Sequence, residues 1–288
     1  VRVLVTGIGG FVGPHVAAAL ESSGHEVHGA IRRLAPPGGA GRPALPPDRL
    51  HAADLADVRA ATELVRAVAP DGIVHLAGFS FVPAAEHDPD AAYRGNLGTM
   101  LGLLAGVREG APRARVIAVT TGHVYGAVRP DELPLDEDAP LRPTSVYEAS
   151  KAAADLAAGQ WARAYGLDVV RARPFNHTGP GQPPTFVCSA LARQIAAVER
   201  GAASVVRVGN MDPVRDFSDV RDVAAGYVAL LERGRGGEVY NLCAGAGVSI
   251  AEVLAVLRTH ARVPIRVEIA ADLRRAVDVP ALVGSHAR

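Results

Sequence analysis

The first thirteen residues, VRVLVTGIGGFVG, set a nearly continuous apolar run against glycines at positions 7, 10 and 13. Such a run is the pattern of a parallel strand buried on both faces. The apolar spacing of VAAALESSG, stopped at Gly24, is that of a helix. A strand that passes through glycines into a helix belongs in a sheet covered on both sides, and the helix must return across it.

The alternation continues along the chain. EVHGAIR (26–32) reads as a strand, and residues 33–50, RLAPPGGAGRPALPPDRL, carry too much Pro and Gly for helix or strand and read as a surface loop. A third strand precedes Asp54; helices are expected near 57–68, 90–108 and 148–165, with strands at 72–78, 115–121 and 168–174. Six strands alternating with helices predict an α/β fold, a doubly wound parallel sheet. Past Pro174 the rhythm breaks at TGPGQPP (178–184), with a helix near 187–199 and shorter elements after it. The expected division is a first domain over 1–173, rejoined by about 219–243, and a smaller C-terminal lobe mainly within 174–288.

Composition narrows the function. With 49% hydrophobic and 21% charged residues, the 288-residue chain can bury a substantial core. Thirty basic residues balance thirty acidic ones, which removes any bulk electrostatic case for nucleic acid or an anionic membrane. No apolar run reaches the roughly 18 residues of a membrane span, and no charged-then-apolar leader precedes the first strand. Cys188 and Cys243 are far apart and form no CxxC pair, so a reducing compartment, the cytoplasm, is expected.

Gly7, Gly10 and Gly13 between a strand and a helix let the backbone approach a pyrophosphate at the helix N-terminus, although glycines in a tight turn look the same. An acid at the end of the second strand would favour NAD; here Arg32 and Arg33 stand there, either solvated or paired with the extra phosphate of NADP. Asp54 is an adenine-edge contact or a helix N-cap. Tyr147 and Lys151 lie four apart, on one helix face, where an ammonium lowers the pKa of a phenol and equips it to exchange a proton with a carbonyl oxygen. A chance YxxxK is common. Thr120-Thr121 gives this one weight, because it closes the preceding strand and offers a hydroxyl to the same oxygen.

The order GxxGxxG, strand-end Thr, YxxxK resembles the short-chain dehydrogenases/reductases. TTGHVYG (120–126), RPFNHTGPGQ (173–182) and RDFSDVRDVAAGY (215–227) resemble their extended branch, which acts on nucleotide sugars. RPFNHTGPGQ and the terminal GSHAR are most similar to the GDP-4-keto-6-deoxy-D-mannose reductases. The likeness spans essentially the whole chain. It implies a Rossmann fold, NADP(H) as cofactor, and a homodimer in which the helices near 90–108 and 148–165 form a four-helix bundle. It also implies cofactor contacts from Gly7, Gly10, Phe11, Val12, Gly13, Arg32, Arg33, Asp54, Leu55, Leu76, Ala77, Thr120, Tyr147 and Lys151, with Thr121, Tyr147 and Lys151 catalytic. Substrate contacts are expected from Ser80, His123, Asn176, Val187, Arg215, Arg275 and Asp278; the last two equally suit a surface ion pair. The family pattern continues beyond GSHAR with a further helix, so the resemblance implies that a final segment is missing here.

The implied activity is NADPH-dependent reduction of the C4 ketone of a GDP-4-keto-6-deoxyhexose to a GDP-6-deoxyhexose. The rivals are a redox-neutral 4,6-dehydratase or 4-epimerase, and a non-enzymatic dinucleotide sensor. A sensor has no use for the acid/base pair. Related dehydratases carry a Glu two residues after the catalytic Thr; His123 occupies that slot here, which favours reduction. The histidines form no HxxxH and no Cys/His cluster, so no metal is expected.

Overall fold

The computed structural model describes residues 1–33, 45–273 and 279–288. In chain order the first elements are β1 (Arg2–Thr6), α1 (Gly13–Ser22), β2 (Glu26–Ile31), β3 (Leu50–Ala52), α2 (Val58–Val68), β4 (Gly72–His75), α3 (Val82–His87), α4 (Pro89–Tyr93), α5 (Thr99–Gly110), β5 (Arg115–Val119), α6 (Val146–Tyr165) and β6 (Val169–Pro174). There follow β7 (Asn176–Thr178), α7 (Val187–Glu199), β8 (Val206–Val208), β9 (Val214–Asp219), α8 (Val220–Arg233), β10 (Val239–Leu242), β11 (Gly247–Ser249), α9 (Ile250–Thr259), β12 (Val267–Ile269) and β13 (Ala281–Leu282).

Seven strands form one parallel sheet in the order β10-β6-β5-β4-β1-β2-β3. The strand order turns back between β1 and β4, and ligands of such sheets bind at the strand C-termini of that crevice. Alternation along β1 explains the two covered faces. Val3 and Val5 pack with Val16 and Leu20 of α1 and with Val223 and Tyr227 of α8, whereas Leu4 packs with Leu64 of α2, Leu103 of α5 and Ala158 of α6. The seventh strand is β10, which joins beside β6 after the chain has passed through α8.

A second group of elements lies beyond β6. Strand β9 pairs with β7, β11 and β13, and β8 with β12. Leu191 and Ile195 of α7, Ile250 and Leu254 of α9, and Val206 and Val208 make a separate apolar core.

Local chemistry sets the ends of the helices. Asp57 caps α2 by accepting from the N–H groups of Arg59 and Ala60, and Ser145 caps α6 by accepting from Glu148 N. The helix expected near 90–108 runs as α4, a π segment over Arg94–Gly98, and α5. In the stretch expected as loop, Pro47–Arg49 form a 3-10 turn and Leu45 is buried; its residues 34–44 lie outside the described ones.

Candidate functional site

Gly7 has φ +68°, a left-handed conformation that favours glycine, and a Cβ there would stand 2.7 Å from Ala77 N. A Cβ on Gly13 would stand 2.2 Å from Ile8 O. These two glycines close β1 against the end of β4 and seat α1 on its own loop. Helix α1 then begins at Gly13, after an N-cap, Val12, that offers no side-chain hydrogen bond, and with no acid in its first turn. Its N–H groups are therefore left for an anion, and Gly10, Phe11 and Val12 border them. The backbone cradle fits a dinucleotide pyrophosphate.

At the end of β2, Arg32 and Arg33 are exposed. Asp54 does not cap α2; one of its carboxylate oxygens accepts from Ala56 N at 3.1 Å and the other from Arg94 Nη2 at 2.9 Å. The Arg94 hydrogen bond holds the Asp54 carboxyl below its usual range, helped by the charges of Arg94 and Arg32. Leu55 is buried in the sheet core beside α5, Leu76 packs on the opposite face, and Ala77 N donates to Thr6 Oγ1 at 3.2 Å. Ser80 is exposed.

The catalytic candidates come together where β5 meets the start of α6. Tyr147 hydrogen-bonds Thr121, whose Oγ1 also accepts from His123 N at 3.2 Å. The Tyr147 phenol is pushed up to about 12: burial dominates, the Thr121 hydrogen bond opposes it, and the Glu148 carboxylate adds to it. The expectation that Lys151 lowers this phenol does not hold, since desolvation of the buried ring dominates and the Lys151 ammonium lies by Val119 O. Burial brings the Lys151 ammonium itself down to about 8. Its Nζ lies 3.5 Å from Val119 O and close to Gly78, where an added Cβ would meet Asn96 Oδ1 at 2.7 Å and Nζ at 3.1 Å. A neutral phenol and a buried, partly titratable ammonium suit proton donation to an alkoxide.

The hydroxyl of Thr120 donates to Asp155 Oδ2 at 3.0 Å, in a buried network. Asp155, one turn past Lys151, also accepts from Arg173 Nε at 2.9 Å, Arg173 Nη2 at 2.8 Å and Arg171 Nη1 at 3.1 Å. Arg173 continues to Tyr125 Oη at 3.0 Å, which donates to Asn241 Oδ1 at 2.7 Å. This network and Asn96 were not foreseen from sequence. Asn96, in the π segment, accepts from Phe79 N at 2.8 Å and donates to Ser150 Oγ at 2.8 Å. The only sequence signal for it was an amide on the core side of an apolar helix.

His123 follows β5 in a short 3-10 turn, its Nδ1 3.9 Å from Glu148 Oε1. Asn176 opens β7, and its Oδ1 is buried without a hydrogen-bond partner among the described residues. Val187 opens α7 and is partly exposed. Arg215 is buried on β9 and donates to the carbonyls of Val214 and Val279 at 2.9 and 2.8 Å. Arg275 and Asp278 lie outside the described residues. Among the described residues no group of three or more His, Cys, Asp or Glu side chains is placed to hold a metal ion, and no helix is long and apolar enough to cross a membrane.

Comparison with known proteins agrees with this geometry. The profile of the NAD dependent epimerase/dehydratase family matches residues 3–243. The chain is 37% identical to GDP-6-deoxy-D-mannose reductase of Pseudomonas aeruginosa, over 100% of its own length and 89% of the relative's. It is 33% identical to a UDP-glucose 4-epimerase of Streptomyces lividans, over 99% and 88%. Among solved structures, RMD from Pseudomonas aeruginosa complexed with NADPH superposes with a TM-score of 0.86 at 35% identity, covering 99% of this chain and 90% of that one. The chain is therefore a member of the NAD dependent epimerase/dehydratase family.

Proposed function

We propose that the protein is an NADPH-dependent reductase of the C4 ketone of a GDP-4-keto-6-deoxyhexose, giving a GDP-6-deoxyhexose of the rhamnose or 6-deoxytalose type. The observation that carries this is the neutral, buried Tyr147 hydroxyl joined to Thr121 at the mouth of the strand ends, a proton donor in the form that reduction needs. Support for the substrate and cofactor comes from the full-length likeness to GDP-6-deoxy-D-mannose reductase and the NADPH-bound RMD structure.

NADPH, held through its pyrophosphate at the start of α1, would supply hydride for C4. Tyr147 donates its proton to the C4 oxygen, and Thr121 orients that oxygen by a second hydrogen bond. Lys151, whose ammonium lies by Val119 O and Gly78, would bind the nicotinamide ribose. Gly7, Gly10, Phe11, Val12 and Gly13 hold the pyrophosphate, and Arg32 and Arg33 the 2′-phosphate. Asn176, Val187 and Arg215 hold the sugar nucleotide, Asn176 meeting its diphosphate with the side-chain N–H donors and not with the buried Oδ1. Residues 174–288 act mainly as the substrate lobe. Cytoplasmic location accords with two free thiols, Cys188 and Cys243.

The test is to supply NADPH with GDP-, dTDP- and CDP-4-keto-6-deoxyhexoses and identify products by NMR. One NADPH consumed per GDP-linked ketone is expected; no consumption with any of them overturns the reading. A redox-neutral dehydratase is the second reading, favoured by the His123–Glu148 pair beside Tyr147, an imidazole and a carboxylate able to move a second proton. Conversion of GDP-mannose to a 4-keto product, with no net change in cofactor absorbance, would establish it instead.

A further inference from the structure

Strands β2 and β3 end side by side, and the residues that follow them carry the charges at the adenosine end of the cradle. Ile31 lies opposite Ala52, and Ala53 N donates to Ile31 O at 3.0 Å. Arg32 and Arg33 therefore leave the sheet alongside Asp54, because neighbouring strands run about 4.8 Å apart. A carboxylate in that place opposes what two exposed guanidinium groups would do for a phosphate. It repels a 2′-phosphate directly, and it competes for the same cations. At about 0.1 M salt the screening length is about 10 Å, so charges this near each other are not isolated by solvent.

A third cation answers this. Arg94, at the start of the π segment, reaches across to place Nη2 2.9 Å from Asp54 Oδ2, while Oδ1 is held by Ala56 N at 3.1 Å. Both carboxylate oxygens of Asp54 are thus engaged, Oδ2 by Arg94 and Oδ1 by the Ala56 N–H. We propose that Arg94 is a specificity-determining positioning residue for NADP(H): by pairing with Asp54 it leaves Arg32 and Arg33 to the cofactor's 2′-phosphate. The inference rests on the NADP(H) reading above. The depressed Asp54 carboxyl accords with it, since Arg94 is the main cause and Arg32 a lesser one. NADH lacks the phosphate, so the pair matters little to it.

Fluorescence titration of the purified protein with NADPH and with NADH tests this without reference to turnover. Arg94→Gln should weaken NADPH by about fivefold, the scale of one exposed ion pair, and change NADH by less than about twofold. Adding Asp54→Asn to Arg94→Gln removes the unpaired carboxylate and should return the NADPH:NADH affinity ratio to within about twofold of the wild-type value. Equal weakening of both cofactors, an unchanged ratio, or no recovery in the double variant would each overturn the proposal. Wild-type protein that binds NADH as tightly as NADPH would overturn the cofactor reading and this inference together. A wild-type preference for NADPH that Arg94→Gln leaves intact overturns this inference alone.

Discussion

Tyr147 and Lys151 share one helix face, and burial drives each towards its neutral form: the phenol up to about 12, the ammonium down to about 8. Tyr147→Phe removes the acidic proton and little else. It should lower kcat by at least about 10²-fold, the usual scale of a positioned general acid, while the NADPH dissociation constant stays within about twofold. Lys151 carries a pH signature. Its ammonium titrates near 10.5 in the unfolded chain and near 8 in the folded one, so between these values the unfolded state holds more protons and stability rises with pH. The cost of burying the charge is complete below pH 8 and gone above 10.5. Lys151→Met should therefore exceed wild type in stability at neutral pH by up to about 3 kcal/mol, and the gap should close at alkaline pH in paired urea titrations. The four-residue spacing of the pair was legible because helix geometry alone fixes it. The direction of the Tyr147 shift was not, because desolvation depends on Ala85 and Ala92, which only the tertiary fold brings around the ring.

Among the elements, α6 carries the most, and Asp155 ties it down. This carboxylate is fully buried; burial pushes it up, but the hydrogen bonds and charge of Arg173, with Arg171 and Thr120, overcome that and leave it below its ordinary value. Thr120 directly precedes Thr121, so a single hydrogen bond to Asp155 ties the helix bearing Tyr147 to the segment bearing its Thr121 partner. Asp155→Ala strands a buried guanidinium at Arg173 and should cost about 3–5 kcal/mol in chemical unfolding. The sequence made the strands and helices of the sheet legible through apolar period and glycine punctuation: α2, α6 and α7 fall within two residues of their expected ends. It gave no such sign for the π segment, where Asn96 pairs with Ser150 and Phe79. Arg173 and Asp155 stand 18 residues apart with nothing in their spacing to link them.

For the whole molecule, the outer surface of α6 bears on assembly. Leu156 is 59% exposed, and Ala149, Ala153 and Ala157, also not fully buried, lie on the same side of the helix. At its far end Trp161 packs on Tyr165 at 4.7 Å between ring centroids, and Arg108 of α5 stacks over Tyr165 at 4.5 Å. Small residues around one large apolar side chain let a second helix approach closely, and a charge-neutral chain offers no net repulsion between copies. These features support a homodimer in which α5 and α6 of two protomers form a four-helix bundle. A two-fold interface repeats every substitution, so Leu156→Glu would place like charges near each other across the axis and leave both without partners. Sedimentation velocity at micromolar concentration should give a dimer for the wild type and a monomer for Leu156→Glu. The variant's far-UV spectrum should not change, because the side chain contributes little to its own protomer's core. A monomeric wild type, or a dimer that survives the substitution, would mean that the exposed face of α6 packs against something else.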